Sequence, residues 1–256
     1  MNIERQAPAL RDAIIDVLAA RDINAVWRSF STALVAFGFD KILYCGIRMP
    51  GGCLVEDIND ALLLHLGPQE YLDQYLGSEL YRGSPAYAWA SQNSGFASWP
   101  DAIAALGPID TLTHKRILKL NADFGICSGY VGSLKGLVPG MRGIIGMSPA
   151  RGLHQPEADR LWARHGKDIE ILCQLLHLRV ASLPQTDPRR PLTSRQREAL
   201  QWCSQGKTMQ DIATIMGVRS VTIEKHLRMA REALNAQTTA HAVQKAMALN
   251  LLNNGD

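Results

Sequence analysis

The chain has 256 residues, 46% of them hydrophobic and 20% charged, with a net charge of +3; that length allows two modest domains, each with a core of its own. No secretory signal or membrane span is read. The first helix-like stretch carries Arg11, Asp12 and Asp16, and the longest uncharged run, 83–100, is rich in Ser, Gln, Asn and Gly. The five cysteines are odd in number and never in C-x-x-C spacing, which reads as the reduced thiols of a cytosolic protein and places the chain in the cytoplasm.

In chain order, 8–20 predicts an amphipathic helix built on Leu10, Ile14, Val17 and Leu18. Asp22 caps a second helix, with Val26, Phe30, Ala33, Leu34 and Phe37 on one face and Gly38 at its end. "DKILYCGIRM" is a strand, "GG" at 51–52 a turn, and "CLVEDI" its partner strand. A helix pair followed by a hairpin suggests α+β. Pro68 opens a helix on which Tyr71 and Tyr75, four apart, share a face. Ser84-Pro85 starts another, since Ser caps well and Pro suits the first turn. A polar loop then leads to Trp99-Pro100, 109–124 is helical, and "ICSGYVGSLKG" and "MRGIIGMS" are two more strands. A long helix over 156–183 carries Leu161, His165, Ile169, Leu172, Leu176 and Val180 at helical spacing, widened by Trp162 and Cys173. By this reading the first domain, 1–183, is an α/β/α sandwich around an antiparallel sheet. "SLPQTDPRRP" is a stiff, exposed stretch, and 184–191 is the linker.

Residues 192–256 predict an all-α domain of four short helices. Thr193 with Gln196 forms a capping box, and Gly206 ends the first helix. Thr208 caps the second, with Asp211 in its first turn, and Gly217 closes it. "VRS" then leads to a third helix over roughly 221–234. Two short helices joined by a Gly-containing turn are the helix-turn-helix signature. On the third helix Ile223, Leu227, Ala230 and Leu234 face inward, while Thr222, Glu224, Lys225, Arg228 and Arg231 point away. Arg and Glu can read guanine and cytosine edges and Lys can hold a phosphate; the same pattern also suits a solvated face on a small bundle. The charge surplus lies here. Residues 191–256 hold eight Lys or Arg against five Asp or Glu, whereas 1–190 hold nineteen of each, a placement that fits a phosphate-facing surface.

"LTSRQREALQWCSQGKTMQDIATIMGV…TIEKHLRMAREALNA" resembles the DNA-binding domain of LuxR-type transcriptional regulators over about sixty residues. The family usually has Ser-Glu ahead of the recognition helix. Here Arg219-Ser220 stands there, with Ser220 available as a cap one position later and Arg219 a positive charge toward the DNA backbone. The resemblance implies DNA contacts from Lys207, Thr208, Arg219, Thr222, Glu224, Lys225 and Arg228. It also implies that the last helix, with Val243, Ala246, Met247 and Leu251 along one side, pairs the DNA-binding domains of a homodimer.

More faintly, 27–180 resembles the acyl-homoserine lactone-binding domain of the same family, anchored by "GFDKILY", the run 68–99 and "DFGICSG". In that family a Trp, a Tyr four on, an Asp-Pro, a second Trp and a Gly line the ligand pocket. Here they fall on Tyr71, Tyr75, Ser84-Pro85, Trp99 and Gly129, with Leu43, Ile117 and Ile126 as apolar lining. Tyr75, Pro85, Trp99 and Gly129 match in kind. Tyr71 replaces the first Trp, Ser84 replaces the Asp, and a further family Tyr falls on Gly67. In the family the first Trp donates to the lactone carbonyl and the Asp accepts the ligand's amide N–H. A charge-assisted bond contributes about 1.5–3 kcal/mol and a Ser hydroxyl about 0.5–1.5 kcal/mol, a difference of roughly tenfold in affinity. A ligand without an acyl amide becomes plausible. Without the resemblance Tyr71 and Tyr75 read equally as core or rim tyrosines, Ser84 as a helix cap, and Trp99 as a packing anchor.

Enzymatic motifs are absent from the sequence. The seven histidines form no H-E-x-x-H, no Cys/His cluster has metal spacing, and there is no Walker motif or G-x-G-x-x-G. The glycines at 140, 143 and 146 suit strands and turns, and "GICSG" lacks the central Ser of a nucleophile elbow. The resemblance implies a cytoplasmic, dimeric regulator that senses an N-acyl homoserine lactone or a related small apolar signal and uses no cofactor or metal. Its partners would be double-stranded DNA on an inverted repeat, the signal, a second copy and RNA polymerase, with no membrane. The alternatives are a regulator that needs no ligand and one that acts by heterodimerisation with another regulator; an enzyme fused to a DNA-binding domain is a more distant third.

Overall fold

The computed structural model describes residues 10–48, 61–106, 111–185 and 190–252. The chain divides into two units, Met1–Ala181 and Ser182–Asp256. The first is a mixed α and β unit and the second is helical.

Helix α1 (Leu10–Ala19) buries Ala13 and Val17. Leu18, expected on its apolar stripe, is 53% exposed; it lies about 100° round the helix from Val17, off the buried edge. At α2 (Ile23–Ala36) the Asp22 carboxylate accepts from the Ala25 N–H at 2.8 Å, and Val26, Phe30, Ala33, Leu34 and Phe37 are buried as their spacing requires. Gly38, at φ 99°, turns the chain into strand β1 (Phe39–Arg48).

β1 pairs antiparallel with β2 (Leu62–Leu66), Leu43 opposite His65. The expected partner strand, "CLVEDI", lies outside the described residues, as does the turn at 51–52. The run of leucines in "LLLHL" shows no alternation and so carries no strand signal of its own. On its other side β1 pairs with β5 (Met141–Pro149), followed by β4 (Tyr130–Ser133) and β3 (Gly95–Ser98), giving the order β2-β1-β5-β4-β3 with every neighbour antiparallel. β3 occupies the stretch expected as a polar loop, since it is only four residues long and is bounded by Gly95 and Ser98. Trp99 then opens a helix, α5 (Trp99–Leu106).

One sheet face carries α7 (Gln155–Ser182). The Tyr130 ring stacks on Trp162 at 4.2 Å and its hydroxyl donates to Asp159 at 2.8 Å. Farther along, Tyr44 and His177 share a 2.7 Å hydrogen bond, both fully buried. A Cβ at Gly143 would lie 2.6 Å from the His177 Nδ1, so glycine there makes room for the imidazole. The opposite face carries α3 (Gln69–Gly77), α4 (Pro85–Gln92), α5 and α6 (Thr111–Asp123). There Trp89, Ala90 and Ala102 pack on Val131 and Ile144.

The second unit is four helices, α8 (Ser194–Ser204), α9 (Met209–Met216), α10 (Ser220–Ala233) and α11 (Thr239–Ala248). Leu200, Ile212, Ile223, Ala230, Ala242 and Ala246 meet in its core.

Burial, with the Arg48 charge nearby, pushes the His177 imidazole down to about 4. Below its ordinary pKa an unfolded His177 takes a proton that the folded one refuses, so stability falls from about pH 6.5 to about pH 4, by up to roughly 3 kcal/mol. Burial lowers His65 and His165 as well. Melting temperatures across this range should therefore fall in the wild type and fall less steeply in His177→Gln; equal slopes would remove His177 from the account.

Candidate ligand cavity and nucleic-acid interface

Between the open sheet face and helices α3 to α6 lies a cavity of about 130 Å³. Its floor is Leu43 of β1 and Gly146 of β5, paired across the sheet. Its walls include Tyr71, Tyr75, Ser84, Trp99, Ile117, Leu118, Asn121 and Ile126. The lining is mostly apolar, with a few polar groups converging on it, as in small-molecule sites generally.

The two tyrosines stack at 5.7 Å, one turn apart on α3. The Tyr71 hydroxyl donates to Asn121 Oδ1 at 3.0 Å, tying α3 to α6. Burial raises both phenols, Tyr75 to about 12, and the Tyr75 hydroxyl is hydrogen-bonded to Ser84. Ser84 caps α4, accepting from the Tyr87 N–H at 3.5 Å, with Pro85 in the first turn. The Trp99 indole nitrogen is buried without a partner, and so is His114 Nδ1.

Seven of the eight residues singled out in the sequence line this cavity; Gly129 does not. Its role is steric. A Cβ there would run into the Met147 carbonyl and sit 3.0 Å from the Trp99 ring, so Gly129 seats Trp99 against the sheet. Gly146 is the reverse case: a Cβ there would meet nothing within 4 Å. Asn121, His114 and Gly146 escaped the sequence reading, because an Asn or His on a polar helix and a Gly in a strand carry no spacing signal.

In the second unit both capping boxes form. Thr193 pairs with Gln196, and Thr208 with Asp211. Gly217 takes the left-handed conformation, φ 65°, that closes α9. Arg219, not Ser220, is the N-cap of α10, and its side chain makes no capping bond. Ser220 instead donates to Gln210 Oε1 at 2.8 Å, fixing the start of α10 to the start of α9. Lys207, Thr208, Arg219, Glu224, Lys225 and Arg228 are exposed and Thr222 is half-buried. Thr208 is engaged with its own capping partner, donating to Asp211 at 2.7 Å. Arg231 reaches back to Thr239 of α11 at 3.4 Å and belongs to the fold. Val221, 74% exposed at the start of α10, joins the outward face. Ala246 of α11 and Leu251 just beyond it are buried within the unit and Val243 is half-buried, so of the side expected to pair two copies Met247, 59% exposed, is the part most left outside.

Residues 22–180 match the model of the autoinducer binding domain, and 190–246 that of bacterial regulatory proteins of the luxR family. The chain belongs to the LuxR family. It is a quorum-sensing type regulator with an autoinducer-binding and a helix-turn-helix domain. Among curated LuxR-type relatives, the transcriptional activator BjaR1 of Bradyrhizobium diazoefficiens is 25% identical over 91% of each chain. The quorum sensing-dependent regulator RpaR of Rhodopseudomonas palustris is 24% identical over 93% of each. Among solved structures, Escherichia coli SdiA has a TM-score of 0.52 at 16% identity, covering 96% of this chain and 98% of that one. CepR2 of Burkholderia cenocepacia, an N-acylhomoserine lactone-dependent LuxR factor, has a TM-score of 0.51 at 18% identity, covering 66% and 90%. At such identities these likenesses speak to the fold.

Gly146 on the cavity floor and Gly129 behind Trp99 make opposite predictions without any ligand. Gly129→Ala should cost about 1–3 kcal/mol through overpacking, several degrees of melting temperature. Gly146→Ala should stay within about 0.5 kcal/mol. Thermal melts of the two variants check this, and equal losses would show that the space over Gly146 is not open.

Proposed function

We propose that the protein is a ligand-governed transcription factor, in which a small, mostly apolar molecule, an N-acyl homoserine lactone or a related signal, fills the cavity of the first unit and α10 of a dimer reads an inverted repeat. The observation that carries this reading is the mostly apolar cavity, its Trp99 and His114 nitrogens unpartnered, in the same chain as an exposed, positively charged helix-turn-helix. Support comes also from SdiA, whose structure in complex with octanoyl-rac-glycerol shares this fold at a TM-score of 0.53 and 15% identity, covering 96% of each chain. Tyr71, Tyr75, Ser84, Trp99, Leu43, Ile117 and Ile126 surround the ligand. Arg219 and Lys225 face phosphates, Glu224 and Arg228 face base edges, and Val221 suits a thymine methyl group. Two copies present their recognition helices to half-sites about 10 bp apart. The regulator works in the cytoplasm, beside RNA polymerase.

A ligand that binds only the folded chain stabilises it by RT ln(1 + [L]/Kd), about 2.7 kcal/mol at a hundredfold excess over Kd. For a chain of this size that corresponds to roughly 5–10 °C. Protein made in a host lacking acyl-homoserine lactones should therefore show a melting temperature that rises by several degrees with one chain length of a lactone panel. One observation favours a second reading, a regulator that needs no ligand. Tyr71 with Asn121, and Tyr75 with Ser84, already satisfy one another. A stable dimer that binds its operator and that no lactone shifts would support that reading.

Arg228→Ala should weaken operator binding by about 1–3 kcal/mol and relax base preference at one position. Equal weakening on every sequence, measured by titration against operator variants, would make Arg228 a phosphate contact.

A further inference from the structure

Glycine weakens the interior of a strand, and it stands there where another group must come close. Gly129, Gly132 and Gly143 each meet such an approach. A Cβ at Gly129 would run into the Met147 carbonyl, one at Gly132 would strike the Phe96 ring, and one at Gly143 would lie 2.6 Å from His177 Nδ1. Gly146 has neither of the usual reasons to be glycine. Its φ lies outside the left-handed region, so its backbone suits any residue. A Cβ there would meet nothing within 4 Å among the described residues. It also sits in regular pairing, opposite Leu43 of β1 on one side and Val131 of β4 on the other.

Residues opposite one another on neighbouring strands point to the same face of a sheet. His65, Leu43, Gly146, Val131 and Ala97 therefore form one row across the sheet, on the face that carries the cavity. His65 and Leu43 line the cavity, and Val131 is covered by Trp89 and Ala90. In the middle of that row Gly146 has no side chain, so the floor is lower there by the depth of one. A strand glycine that neither backbone nor packing requires marks a place where another molecule reaches the main chain. We propose that Gly146 is the specificity-determining residue of the cavity: apolar carbons of the signal rest on its backbone beside Leu43, and the missing side chain sets how large the apolar part of the ligand can be. The inference rests on the reading of this cavity as the signal site. A space lined by Leu43, Ile117 and Ile126 gains dispersion contacts only from atoms that reach it. A ligand too short to cover Gly146 forgoes those contacts, and a side chain at 146 takes the place of the carbons that make them.

A series of side chains set against a series of ligands tests this. Wild type, Gly146→Ala and Gly146→Val would be titrated as full chains with N-butanoyl- to N-dodecanoyl-homoserine lactone, by calorimetry and by melting temperature, beside melts of each empty protein. Each buried methylene changes affinity roughly fourfold. In Gly146→Ala the affinity ratio between the best wild-type lactone and the next shorter one should therefore fall about fourfold. Gly146→Val should weaken the best wild-type lactone about tenfold or more and move the optimum to a chain about two carbons shorter. A merely structural glycine would weaken every chain length alike. Folded variants that keep the wild-type order of chain lengths, or an alanine at 146 as destabilising to the empty protein as Gly129→Ala, overturn the proposal while leaving the cavity as the signal site. If the valine variant does not fold, the ratio in Gly146→Ala decides alone. If wild type binds no lactone of the series, the signal-site reading falls and the role of Gly146 with it.

Discussion

The seam between the sheet and α7 is the constraint on which the first unit depends. Trp162 stacks on Tyr130 and meets Phe39 and Phe96, while Tyr44 and His177 close the far end with a fully buried hydrogen bond. Aromatic pairs at these separations add to the burial of their own area, and the Tyr44 bond occupies the His177 Nδ1 while its Nε2 is buried without a partner. Side chains and glycines are matched along this seam. A Cβ at Gly143 would strike His177, and one at Gly132 would strike Phe96. With one face of the sheet filled to contact, the position of every strand is set, and so is the placement of the side chains on the other face.

That other face is not filled to contact. The β-strand repeat of two puts Leu43 and Gly146 side by side on it, and over Gly146 there is no atom to meet a Cβ. The cavity is thus a consequence of the floor as much as of the helices above it. The Tyr71–Asn121 bond ties α3 to α6, the stack of Tyr71 on Tyr75 steadies the α3 side of the wall, and the cap at Ser84 fixes where α4 begins. Gly129 completes the wall from behind by letting Trp99 approach the sheet.

Local chemistry was the legible part of the sequence. Asp22, Thr193 and Thr208 announce their helices because a capping side chain acts within three residues of itself. The buried stripes of α2 and α10 are legible for the same reason, as periodicity is a local property. Pairing across the sheet is not local. The leucine run of β2 has no alternation to distinguish it, and the short β3 hides in a polar segment, so both emerge only from what lies beside them. The same limit explains the site. Tyr71, Tyr75, Ser84 and Trp99 were reached through a resemblance, whereas His114 and Asn121 matter because of what α6 faces. Ser220 was misplaced as a cap because Gln210, ten residues earlier, takes its hydroxyl.

The two units differ in what their cores leave open, and that difference bears on the proposed control by a signal. The helix-turn-helix unit has side-chain caps on α8, α9 and α11, a closed left-handed turn at Gly217, and a core in which Ala199, Ala230, Ala242 and Ala246 pack with Leu200, Ile212 and Ile223. Its reading face is fixed by its own contacts. The first unit leaves a space over Gly146 and, on the wall of its cavity, unpartnered nitrogens on Trp99 and His114. A buried donor without an acceptor costs about 1–3 kcal/mol, a large share of the stability of an ordinary domain. A molecule that fills the space and accepts from Trp99 removes that deficit, and by linkage it raises the folded fraction of the unit that holds it. On the proposed reading, control of DNA binding by a small molecule requires no rearrangement of the recognition helix, only a change in how much of the first unit is folded at a given concentration of signal.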